Sequence, residues 1–173
     1  MKKLILPVIM AALLAPMSFA IEAVIAVHGT ISKIDSGAKT IVVKAADGTE
    51  HTFRFIANTT VHGTEAGAKD TFHGLKEGTE VVAHYTAKGT EKTAVEVDRV
   101  GKDGLKVVDG TVSDIDRGGK KLVVKSADGT EQTFKLADRA AAETGKGTEK
   151  AAKVTVYYTE DAGKKIAHFF EGH

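Results

Sequence analysis

VHGTISKIDSGAKTIVVKAADGTEHTFRF, residues 27–55, is written a second time as VDGTVSDIDRGGKKLVVKSADGTEQTFKL, residues 108–136. The offset is a constant 81 with no gap, and 18 of the 29 positions are identical. A match of that length means two copies of one folding unit, so each fold argument can be checked in both. Apolar residues alternate with polar ones along both copies. Val27, Gly29 and Ile31 share one face of a first strand, as do Val108, Gly110 and Val112. Ile34 and Ile115 fall out of that step, which predicts a bulge near Lys33 and Asp114. Asp35-Ser36-Gly37 and Asp116-Arg117-Gly118 are turns. Second strands follow at 40–44 and 121–125. Asp47-Gly48 and Asp128-Gly129 then predict hairpins, because both residue types tolerate positive φ. The third strands carry Phe53 and Phe134, the largest apolar side chains common to the copies and the expected centres of two cores.

The copies diverge after the third strand. Residues 57–80 read as an irregular Gly-rich loop plugged by Leu75, whereas 137–152 is Ala-rich and predicts a short helix over 138–144. They agree again, with Val81-x-Ala83-x-Tyr85-Thr86 matching Val154-x-Val156-x-Tyr158-Thr159 at a smaller offset of 73. Last strands follow at 93–97 and 166–170. Three strands, a variable excursion and a hairpin is the plan of a five-stranded OB-like barrel. An SH3-like barrel has a similar strand number, and the pattern does not separate the two. The expectation is an all-β chain of two tandem small barrels. The first module covers 21–100, a linker 101–106 and the second module 107–173. Val42, Val123 and Phe169, apolar on outward faces, are candidates for the seam between the modules or for a partner surface.

Residues 1–20, MKKLILPVIMAALLAPMSFA, read as a signal peptide: two lysines, a short apolar run and a Ser-x-Ala ending. Both prolines and all three methionines lie in it, so the chain after Ala20 has no Pro, Met, Cys or Trp. Without Cys there is no disulfide and no thiolate ligand or nucleophile. Losing Lys2 and Lys3 takes the formal net charge from +1 to −1. That balance argues against nucleic acid or an anionic membrane as partner. The expected location is the bacterial periplasm or outside the cell, with no membrane association after cleavage.

The chain resembles exported bacterial proteins built from small OB-like β-barrel modules, most of unknown function. The likeness lies in Gly29–Asp35 and Gly110–Asp116, in the hairpins Ile41–Glu50 and Leu122–Glu131, and in Gly78–Val81. It implies a fold and brings no catalytic residues with it. Related periplasmic OB-like copper carriers bind through Met, His and Trp, and the chain after Ala20 carries neither Met nor Trp.

Chemistry therefore rests on histidine. His28, His51, His62, His73 and His84 all fall in the first module, and the second copy replaces three of them by Asp109, Gln132 and Tyr157. A first-row transition-metal site built from His62, His73 and His84 is one expectation, since imidazole suits such ions. The other is that histidines are scattered over solvent-facing strand positions, with His168 at a barrel end. The aspartates have a local role as turn formers. No G-x-S-x-G elbow or phosphate loop is present, and no acid–base pair is apparent. The leading expectation is a non-enzymatic exported binding or scaffold protein with no cofactor, for an unidentified protein or small ligand. Metal binding by first-module histidines is the alternative.

Overall fold

The computed structural model describes residues 23–64, 68–142 and 149–173; the signal-peptide reading lies outside them. The first unit has six strands: β1 (Ile25–Asp35), β2 (Thr40–Ala45), β3 (Glu50–Arg54), β4 (Thr60–His62), β5 (Glu80–Lys88) and β6 (Glu91–Arg99). The second has β7 (Lys106–Asp116), β8 (Lys121–Lys125), β9 (Glu131–Leu136), the helix α1 (Asp138–Ala142), β10 (Lys153–Asp161) and β11 (Lys164–Gly172). Among the described residues no helix is long and apolar enough to cross a membrane.

Both units close in the same way. β1 pairs antiparallel with β2 and β5, β2 with β3, and β5 with β6. The ring shuts through a parallel contact between Arg54 on β3 and Thr93 on β6. In the second unit β7 to β11 repeat these pairings and β9 meets β11 in parallel at Lys135–Ile166 and Leu136–Ala167. A third strand closing in parallel on the last, across the long connection, is the OB-like plan.

Local sequence accounts for the shared parts. Register slips between Ile31 and Lys33 and between Val112 and Asp114, so the bulge falls at Ser32 and Ser113. Ile31 and Ile34 then both turn toward the core. Gly48 and Gly129 sit at φ +84° and +86°, where a side chain would be strained. Gly29 and Gly110 are needed for a different reason. A Cβ on Gly29 would lie 2.8 Å from Val43 Cγ1, and one on Gly110 would lie 2.6 Å from the Lys125 carbonyl oxygen.

Phe53 and Phe134 are both 0 % exposed. Phe53 packs on Tyr85 at 4.9 Å between ring centres, and Phe134 on Tyr158 at 5.1 Å.

The excursion over 57–80 is more ordered than its composition predicts. β4 runs parallel to β6, with His62 paired to Asp98. Thr59 makes this possible: its buried hydroxyl accepts from the Ile56 amide at 3.0 Å and donates to the Ala94 carbonyl at 2.7 Å. Phe72 joins the expected plug Leu75 and meets Phe55 edge-on.

The two barrels touch where β1, β5 and the connecting turn meet β10 and β11. Val82, Val100, Leu105, Tyr157 and Phe169 form a buried apolar cluster with Ala26. Phe169 is thus a seam residue, while Val42 and Val123 lie outside this cluster. The connection between barrels is a packed turn. The Leu105 amide donates to the Arg99 carbonyl at 2.7 Å, and the Gly101 amide to the Leu105 carbonyl at 2.9 Å.

Candidate metal centre

Strand alternation puts Val81, Ala83 and Tyr85 into the first core and turns Val82 and His84 toward the second barrel. Across the hairpin His84 pairs with Glu96. Asp98, two residues further along β6, points the same way, and β4 brings His62 alongside it. Nitrogen of His62 and one oxygen each of Glu96 and Asp98 lie within 4.8 Å of one another. His62 Nε2 is 3.6 Å from Glu96 Oε1, and His84 Nε2 is 3.7 Å from Asp98 Oδ2.

His62 and Asp98 border a cavity of about 170 Å³ at the seam. Its first-barrel wall includes His62, Asp98 and Leu105, and its second-barrel wall is Thr159 and His168. His168 Nε2 hydrogen-bonds Thr159 Oγ1 at 2.8 Å. Arg139 of α1 reaches over from the second barrel and pairs with Glu96.

Burial dominates the electrostatics. Asp98 is only 2 % exposed, and its Oδ2 has no hydrogen-bond partner among the described residues. Burial pushes its carboxyl above the usual range, and the His84 and His62 imidazoles pull it partly back. The His168 imidazole is held below its ordinary value by burial first, and then by the neighbouring His84 and His62.

Of the three histidines singled out from sequence, His62 and His84 converge on the acid pair. His73 does not join them. It is exposed at φ 52° in a turn where Asp70 holds both the His73 and Gly74 amides. Glu96, Asp98 and Arg139 carry no site expectation from sequence, and His168, expected at a barrel end, lines the cavity. An unbroken hairpin register from Lys88↔Glu91 would set Val95 opposite His84; the slip between His84 and Tyr85 brings Glu96 there instead, and sequence alone does not announce that slip. His168 and Arg139 depend on how the barrels dock.

The remaining histidines are engaged elsewhere. His51 stacks on Phe53 and meets Lys92 Nζ at 2.7 Å, and burial and Lys92 lower its pKa. His28 lies on the seam with Nε2 2.8 Å from Glu80 and Nδ1 3.5 Å from Glu171, its ring 4.7 Å from that of Tyr157. The Tyr157 hydroxyl donates to Glu171 at 3.0 Å, and burial raises its pKa strongly. A wider cleft of about 630 Å³ lies on the second barrel. Within it Thr155 donates to Asp109 at 2.6 Å and meets His173 at 2.8 Å.

One imidazole and two carboxylates are a ligand set for a borderline divalent ion such as Zn²⁺. With neither thiolate nor thioether, the set does not suit Cu(I) or Ag(I).

No protein-family model and no curated protein matches the chain. Among solved structures, apo-CusF from Escherichia coli is similar over 50 % of this chain and 99 % of its own, at 19 % identity and a TM-score of 0.38. CusF-Ag(I) from Escherichia coli is similar over 46 % of this chain and 95 % of its own, at 17 % identity and 0.36. The Drosophila Unr CSD456 segment is similar over 87 % of this chain and 61 % of its own, at 12 % identity and 0.36.

Proposed function

We propose that this is an exported, non-enzymatic binding protein whose ligand is a divalent transition-metal ion held by His62, Glu96 and Asp98. The observation that carries the reading is Asp98. A carboxylate taken out of water without a donor on Oδ2 costs about 1–3 kcal/mol. Here it shares a cavity edge with the His62 imidazole, and the Glu96 carboxylate lies at chelating separation from both. A bound cation would supply the missing partner. His84, 1 % exposed behind Asp98, backs the carboxylate from the barrel side. Export rests on the leader-like first 20 residues, and the non-enzymatic reading on turn aspartates that each accept a backbone amide of their own loop.

The test is a Zn²⁺ titration of the chain starting at Ile21, in competition with a chromophoric chelator. One ion per chain is expected. Asp98→Asn should weaken binding strongly, and His73→Ala should leave it unchanged. Zn²⁺ at 100 times its dissociation constant should stabilise the fold by about 2.7 kcal/mol. No uptake at micromolar Zn²⁺, or uptake indifferent to Asp98→Asn, overturns the reading.

A further inference from the structure

We infer that the second barrel completes this site through His168, so that a bound ion staples the two barrels together. The inference rests on the metal-binding reading above. Three protein donors leave one position of a tetrahedral ion unfilled. The cavity wall opposite His62 and Asp98 is made by Thr159 and His168 of the second barrel. The His168 Nε2 meets the Thr159 hydroxyl at 2.8 Å, which orients the ring and leaves Nδ1 as the nitrogen to coordinate. His168 stands outside the 4.8 Å set of His62, Glu96 and Asp98, so coordination draws its ring in across the cavity.

Its place in the fold supports the same reading. The register of the last hairpin slips at Tyr157/Tyr158, exactly as it slips in the first barrel at His84/Tyr85, and His168 is the extra residue. The first barrel has Val95 at that bulge. The second copy thus lacks the histidines of the first at three matching positions and carries its own where it faces the first barrel. Arg139 acts from the same side in the opposite sense, because its guanidinium pairs with Glu96 and Zn²⁺ would compete for that carboxylate. Coordination by His168 links ion occupancy to barrel docking so that each strengthens the other, and the loss of the Arg139–Glu96 pair offsets part of that gain.

The experiment uses the chain from Ile21, with Zn²⁺ alone as probe. His168→Gln keeps a group able to bond Thr159 and should weaken Zn²⁺ binding roughly tenfold or more. In the unsubstituted protein, the His168 ring resonances should shift on Zn²⁺ addition. Zn²⁺ should also slow proteolysis of the 101–104 turn, and that protection should vanish in His168→Gln. If the unsubstituted chain binds Zn²⁺ but His168→Gln binds it equally well and the His168 ring does not respond, this inference fails while the metal reading stands. If the unsubstituted chain takes up no Zn²⁺, both fail.

Discussion

Replacing Phe53 by Ala, and separately Phe134 by Ala, tests the claim that each barrel is closed around its own phenylalanine. Both rings are wholly buried and both lean on a tyrosine, at 4.9 and 5.1 Å. Truncating such a ring costs about 3–5 kcal/mol, and the lost aromatic pair places these two toward the upper end. A unit of some 80 residues holds only about 4–12 kcal/mol in total. Each substitution therefore removes a large share of one barrel's stability, a fall of roughly 10–40 °C in its midpoint. Scanning calorimetry should show Phe53→Ala lowering the first barrel's transition and Phe134→Ala the second's, with the untouched barrel shifted less. Zn²⁺ uptake separates the two further. Phe53→Ala unfolds the barrel carrying His62, Glu96 and Asp98 and should abolish uptake. Phe134→Ala leaves those donors in place and should only weaken it. A loss below about 1 kcal/mol for either variant would refute the two-core reasoning.

Two further outcomes follow from backbone crowding and from the seam. Gly29→Ala and Gly110→Ala each drive a methyl into the neighbouring strand and should cost about 1–3 kcal/mol in urea unfolding, with near-neutral results refuting the close approach. His28 is buried, which lowers its pKa, but Glu171 and Glu80 outweigh burial and leave it above its ordinary value of 6.5, with the Tyr157 hydroxyl on the same Glu171. A raised folded-state pKa means that its stabilisation is complete below pH 6.5 and fades as pH rises through the folded value. The stability gap between the unsubstituted protein and His28→Gln should therefore be wider at pH 6 than at pH 8.5; an equal gap at both contradicts the assignment.

Much of each barrel was legible because its determinants are local and stated twice. The slips at Ser32 and Ser113, the Asp-Gly hairpins and the two buried phenylalanines all follow from alternation and turn chemistry. α1 begins at Asp138 as its composition predicts and is described to Ala142; residues 143–144 of the expected helix lie outside the described residues. The candidate site was legible only in part. His62 sits on a three-residue strand hidden in a stretch whose glycines read as loop, and a tertiary bond from Thr59 creates that strand. A last strand ended at Val97 stops one residue short of Asp98, although β6 runs to Arg99. His168 and Arg139 reach the site only because the barrels dock face to face. No periodicity within either copy encodes that docking.

The seam has a consequence for the architecture of the chain. The faces that meet are different on the two copies: the first barrel gives Ala26 of β1 and Val82 of β5, the second Tyr157 of β10 and Phe169 of β11. Val107, the counterpart of Ala26, is 44 % exposed, and His84 and Glu96, the counterparts of Tyr157 and Phe169, lie outside the apolar cluster. The join is heterologous, so the two copies cannot trade places across it and matching positions answer to different demands.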